Sequence, residues 1–293
     1  MSSVTARRDL TNNQWERLRR WLPEPSRLGR PIARSRRTLV NGIAWRVRTG
    51  SPWRDLPAQY GPWATVYWLF CAWQRSGTWL LIWRALQALA RDQRHLTWEV
   101  GIDSTTARAH LAAAGARRRT LAGEPADHAL GRSRGGWSTK LHLVVDTSGH
   151  PLAALVTAGQ ANDSPQMIPL LEAVSVARIG GGRARRHPDR VLADRAYSCR
   201  SNREWLRRKQ IKATIPEPAD QIANRQRRGA RGGRPPAFDA DRYKDRSGIE
   251  RAIARLKQHR AVATRYDKLA VRYLATVQIA IIINWLRDLP NTA

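Results

Sequence analysis

Three acidic residues set the chemical question: Asp103 in GIDSTTARAH, Asp194 in VLADRAYSCR and Glu250 in YKDRSGIERAIARLK. The first two close short runs that alternate as strands, residues 97–103 and 190–194. That pattern predicts carboxylates at one edge of an α/β sheet, where ligands bind. The third sits on a helix. Three carboxylates on separate elements suit two-metal phosphoryl transfer. Magnesium takes oxygen ligands, one or two carboxylates per ion, and fills the rest of its shell with water and phosphate. Two ions about 3.5–4 Å apart activate the attacking oxygen and stabilise the leaving one. Taken singly, each aspartate reads equally well as a loop cap, and Glu250 as half of a surface Arg246–Glu250 pair at i,i+4 spacing.

The elements that must position these acids come next. Residues 140–146 and 151–157 read as strands joined by the turn Thr147-Ser148-Gly149-His150, and 211–215 as a further strand. Asp163-Ser164-Pro165 opens a helix that carries Ile168, Leu170, Leu171 and Val174, and another helix lies near 200–209. On a single helix over 243–257, Tyr243, Arg246, Glu250 and Lys257 fall within about 60° of arc. The stripe Ile249, Ala252, Ile253 and Leu256 lies beside them and would dock on the sheet. An apolar helix over 277–285 is also expected to pack on the sheet. Residues 112–129 fit no element.

The first ninety or so residues read as helices. Thr11 and Gln14 form a capping box ahead of Trp15, Leu18, Trp21 and Leu22. Further helices span about 36–48, 63–75 and 78–91. The tryptophans from Trp45 to Trp98 recur at helical spacing and read as core rather than as base-stacking platforms. The expectation is an all-α, helix-turn-helix-like DNA-binding domain over 1–94, with Arg30, Arg34, Arg36, Arg37 and Arg46 on its surface. An α/β domain over 95–293 follows. Within it, RQRRGARGGRPP marks a flexible basic loop at 221–236 that suits DNA-backbone contact.

Charge points to the same partner. The chain has 52 Lys and Arg against 23 Asp and Glu, a net charge of +29. That imbalance predicts a polyanion, because neutralised phosphates release condensed counterions. Two isolated cysteines exclude a disulfide framework, and no apolar run approaches membrane-spanning length. A cytoplasmic, nucleoid-associated protein is expected.

Tyr243-x2-Arg246-x3-Glu250-x6-Lys257 resembles the Y-R-E-K signature of bacterial insertion-sequence transposases of the DDE type. Further blocks carry the resemblance across nearly the whole chain: TNNQWERLRRWLP, RTGSPWRDLP, GIDSTTARAH, GRSRGGWSTKLHLVVDTSGHPLAALVTAGQANDSPQ, VLADRAY and LKQHRAVATRYDKLAVRYLA. They are most similar to the insertion-sequence-five group. The resemblance implies a ribonuclease H-like catalytic core, with Asp103, Asp194 and Glu250 as its catalytic and metal-holding acids. It implies magnesium, as two ions in such enzymes, with manganese able to substitute. It further implies contacts from Tyr243, Arg246 and Lys257 to transposon-end DNA. Enzymes that look like this cut the 3′ ends of the element with water and then use the freed 3′-OH to attack target DNA. Synapsis of two ends implies a homodimer or a higher assembly. This sequence departs from relatives at Asp194-Arg195-Ala196-Tyr197, where a glycine usually precedes the tyrosine.

Other reactive side chains read less sharply. The seven histidines lack a zinc-ligand spacing. Lys140 and His142 share one strand face, placed either to approach DNA and metal-bound water or to hold structure. Ser104 has no base histidine tied to it, so no nucleophilic triad is expected. Cys199 lies near Asp194 and is a candidate for thiol reagents. The competing reading is a DNA-binding protein of transposase descent that no longer cuts; a third is a general nuclease of the same fold.

Overall fold

A computed structural model describes residues 8–24, 34–116, 121–133 and 135–289. The chain begins with α1 (Asn12–Arg19), α2 (Arg36–Thr49), α3 (Trp63–Arg75) and α4 (Thr78–Asp92). Next come β1 (Glu99–Ala109), α5 (Leu111–Ala114), β2 (Gly131–Ser133), β3 (Gly136–Asp146) and β4 (Pro151–Ala158). The middle holds α6 (Met167–Glu172), β5 (Arg190–Ala193), α7 (Arg200–Arg208), β6 (Lys212–Thr214) and α8 (Ala219–Arg227). It ends with α9 (Ala240–Tyr243), α10 (Ser247–Lys257), α11 (Arg260–Ala263), β7 (Thr264–Arg265) and α12 (Ala270–Asp288). No described helix is long and apolar enough to cross a membrane.

The chain divides into two compact units. One gathers residues 1–86, 107–139 and 255–293, and the other 87–106 and 140–254. In the first, α2 packs against α3, α11 and α12 around Leu39, Ile43, Val47, Phe70, Tyr273 and Trp285, all buried. The capping box at Thr11 and Gln14 forms as its sequence predicts, and Gly50 ends α2 in the left-handed region at φ 68°. The principal partners of α12 are α1, α2, α3 and α11. This corrects the expectation that the closing helix packs on the sheet. The reason is that α12 is apolar nearly all round, which suits a helical core.

Polar groups fix this helical unit where burial would otherwise be costly. Arg265 is fully buried, yet it donates to Thr139 Oγ1 at 2.7 Å and to the carbonyls of Ala129, Asp267 and Lys268. Arg46 is buried against Asp267 at 3.2 Å, so it is not the surface arginine that its position on α2 predicts. Glu124 accepts from the backbone N–H groups of Ala270 and Val271 and so caps α12. That gives part of 112–129 a defined job.

The second unit is built on the strand order β4-β3-β1-β5-β6, with β1, β5 and β6 parallel. A hairpin closes β3 and β4 through Gly149, at φ 98°. Two strands in hairpin order beside a central strand, followed by parallel strands reached through helices, make a ribonuclease H-like α/β core. The stretch 221–236 is not wholly a loop: α8 takes in its first seven residues. Helix formers such as Gln221, Ile222, Ala223 and Arg225 outweigh the missing apolar stripe there.

Candidate active site

Register places the first two acids. On neighbouring parallel strands Ile102 lies opposite Ala193, so Asp103 and Asp194 are the next residues on each. Asp103 is nevertheless inside β1 rather than at a strand end. Beyond it β1 runs on to pair Arg108 and Ala109 with Thr264 and Arg265. At Asp194 β5 stops, and the side chain caps a short turn by accepting from Ala196 N at 2.9 Å. Alanine at position 196, where relatives carry glycine, does not prevent that turn.

Close backbone approach places the third acid. A Cβ built on Gly101 would lie 3.1 Å from the Ile249 side chain, and one on Gly248 would lie 2.6 Å from the Thr147 carbonyl oxygen. Glycine at 248 is what lets α10 settle this near the β3–β4 turn, and Gly101 leaves room for Ile249 against β1. Ile249 and Ala252 form the buried stripe predicted for the helix. The predicted single helix over 243–257 is interrupted, however. Tyr243 ends α9, Arg246 lies in a 3-10 turn (Lys244–Arg246), and Glu250 is in the first turn of α10.

Arg246 is the hinge of the arrangement. Its Nη2 donates to Asp103 Oδ2 and its Nη1 to Glu250 Oε1, each at 2.7 Å. The i,i+4 pair that could have been a mere surface contact is thus half of a fork, whose other half is a catalytic candidate. Glu250 keeps 59% of its side chain exposed, whereas Arg246 and Asp103 are mostly covered. Burial raises the Asp103 carboxyl above the usual range, and Asp194 and Asp163 add to this. The Ser104 N–H and Arg246 oppose the rise.

Asp163 is the acid that sequence reasoning missed, because it read as an ordinary helix-start residue. It accepts from Ser104 Oγ at 2.9 Å and from Lys140 Nζ at 3.0 Å, and lies 3.8 Å from His142 Nδ1. Lys140 also donates to the Ala161 carbonyl at 2.7 Å, so both its recorded bonds are internal. Burial lowers the His142 pKa to about 4, so its ring is neutral at physiological pH. Tyr197 is buried with its hydroxyl unpartnered among the described residues. Burial first, then Asp163, Asp103 and Asp194, holds its proton on. The signal available for Asp163 was its place directly after β4 on the sheet that carries Asp103.

Among the described residues no three acid, His or Cys side chains close into a ready-made metal cage. The donor set nevertheless fits a hard divalent ion: carboxylate oxygens, one of them driven up in pKa by burial first and then by its like-charged neighbours. Asp103, Asp194 and Glu250 are the residues that would hold it.

The remaining expected DNA contacts are dispersed. Tyr243 is half-buried, its ring 5.3 Å from that of Phe238, and Lys257 is exposed at the end of α10. Arg37 donates to Asn12 Oδ1 and the Leu10 carbonyl, both at 2.6 Å, and Arg36 to the Pro23 carbonyl. Arg30 lies outside the described residues.

Residues 10–83 match the family described as a putative transposase of the IS4/5 family, and residues 95–285 match the transposase DDE domain. A putative transposase for insertion sequence element IS6501 of Brucella ovis is 33% identical over 150 residues, 51% of this chain and 99% of its own length. The uncharacterized protein y4sN of Sinorhizobium fredii is 37% identical over 109 residues, 37% of this chain and 83% of that one. A putative transposase for element IS402 of Burkholderia cepacia is 38% identical over 84 residues, 29% of this chain and 39% of that one. The Mos1 transposase paired-end complex with left transposon end overlays 83% of each chain at 12% identity and a TM-score of 0.25.

Proposed function

From the premise that this chain belongs to the DDE transposase family, we propose that it binds the terminal inverted repeats of its own insertion sequence, cuts their 3′ ends and joins them to target DNA. The observation that supports this reading best is the convergence on Arg246. One guanidinium holds Asp103 and Glu250, while register sets Asp194 beside Asp103.

Asp103, Asp194 and Glu250 would hold magnesium, as two ions, with manganese able to replace it. When bound there, such ions supply Lewis acidity at the attacked phosphate and a more acidic attacking hydroxyl. The chain's own residues do the rest. Arg246 keeps a positive charge among the acids and so lowers the repulsion a DNA phosphate would meet. Asp163 fixes Lys140 and Ser104 beside Asp103. Tyr197 keeps its proton and adds no further negative charge. The helical segment 1–94, with Arg30, Arg36 and Arg37, is the proposed DNA-end reader, and Tyr243, Arg246, Lys257 and Lys140 are further proposed contacts to transposon-end DNA. Synapsis would bring together at least two copies.

The test uses purified protein, a duplex carrying the inverted repeat, and magnesium or manganese. Asp103→Asn, Asp194→Asn and Glu250→Gln should each abolish cleavage while leaving end binding in place. Undiminished cleavage in these variants overturns the acid assignment. Specific binding without cleavage under any divalent ion selects the catalytically silent reading.

A further inference from the structure

The second unit has a cavity that the acid site does not use. It encloses about 700 Å³ along β6, between the last turns of α7 and the segment 234–239. Leu206, Ile211 and Ala213 give it an apolar floor, and Pro235 and Pro236 line the opposite wall. Phe238 stands at this cavity with 46% of its surface exposed. Around it are Arg207, Lys212 and Arg234, all exposed; none forms an ion pair among the described residues, and Arg207 Nε donates only to the Arg203 carbonyl at 3.4 Å among them. The carboxylate on the wall, Asp239, is engaged in capping α9 through Arg242 N.

We propose that this cavity takes one unstacked nucleotide of a DNA strand, its base against Phe238 and its phosphates against Arg207, Lys212 and Arg234. The inference rests on the DNA-acting reading above and adds a site to it. Three observations carry it. The volume suits a small-molecule site rather than a duplex groove. Unpaired arginines and a lysine around an apolar floor complement a ligand with an apolar face and an anionic rim. An exposed phenyl face offers stacking to a base only when that base has left its own stack. The position also suits the reaction: the Phe238 ring leans on Tyr243, at the end of the helix that leads directly to Arg246.

The experiment is equilibrium binding without divalent ions, by fluorescence anisotropy on the full chain. The probes are a short oligothymidylate, an abasic phosphodiester of the same length and charge, the same-length duplex, and free dTMP. Wild type should prefer the base-bearing strand to the abasic one by about tenfold, the scale of one stacked base. Phe238→Ala should erase that preference and leave abasic affinity unchanged, while Phe238→Trp should keep it. Replacing Arg207 and Arg234 by Gln should weaken both strands alike. Equal affinity of wild type for the two strands overturns the proposal, as does a preference that survives Phe238→Ala. Duplex binding with the same Phe238 dependence also overturns it. Free dTMP bound as tightly as the strand would make this a free-nucleotide site and overturn the DNA assignment. Because no metal or cleavage enters the readout, failure of the acid triad in the cleavage assay leaves this test intact.

Discussion

Arg246 bonds two carboxylates at once, and that double duty determines what its loss would do. In the metal-free protein Asp103 should titrate above the usual carboxylate range, since burial outweighs the help it receives. Arg246→Gln removes one of the stabilising charges, so the Asp103 titration should move still higher. Carboxyl NMR on selectively labelled protein would show the shift, and an unmoved or lowered titration would contradict the fork. A second residue-scale expectation concerns the two thiols. Burial pushes the Cys71 thiol up. At Cys199 burial acts the same way, but hydrogen bonds from Ser164, Ser201 and nearby backbone N–H groups outweigh it and bring the thiol below its ordinary value. Cys199 is also half-exposed. Iodoacetamide at neutral pH should therefore label Cys199 well before Cys71, as read by peptide mass spectrometry.

At the scale of elements, the seating of α10 decides whether Glu250 and Arg246 reach the sheet. Gly248→Ala would drive a methyl group into the Thr147 carbonyl. That clash should cost about 1–3 kcal/mol, the usual toll of overpacking, and lower the melting temperature. Cleavage should fall further than stability alone explains, because a displaced α10 carries Glu250, and with it the turn that holds Arg246, away from Asp103. A Tm equal to wild type would mean that α10 sits more loosely than described. Much of this element was legible beforehand: the stripe at Ile249 and Ala252 announced a docked helix, and the strand that stops at Asp194 was found, whereas β1 runs on past Asp103 to Ala109. The break between Tyr243 and Ser247 was not legible, since no proline or strong breaker marks it. Nor could local spacing reveal that Asp163 faces Ser104, or that Arg46 is buried. Each depends on a partner from a distant part of the chain, Asp267 in the case of Arg46.

At the scale of the whole molecule, each compact unit contains one deeply buried neutral histidine. His142 and His259 both have pKa values lowered to about 4 by burial. In the unfolded chain each takes up a proton near pH 6.5, while the folded form resists until about pH 4. Their stabilising contribution is therefore present above pH 6.5 and is lost as pH falls towards 4, by as much as about 3 kcal/mol each. Denaturant melts across that window should show the loss, and His259→Gln should flatten part of it. A stability that is level from pH 7 to about 4 would refute the assignment. The net charge of +29 sets the other global expectation. DNA affinity should fall steeply with salt, by roughly one power of salt concentration for each phosphate neutralised. A flat salt dependence would remove the reason for the charge imbalance.

The pairing of Ile102 with Ala193 has a consequence for how freely such a sequence can drift. The separation of Asp103 from Asp194 is measured by interstrand hydrogen bonding, about 4.8 Å between neighbours in any sheet. It therefore works as a ruler made of backbone, indifferent to how much chain is spooled out between its marks. The chain between them, residues 104–193, can change in length outside β1 and β5 while the two carboxylates keep their spacing. Variation can thus accumulate in the chain between the two strands, and the spacing of the two carboxylates should survive it.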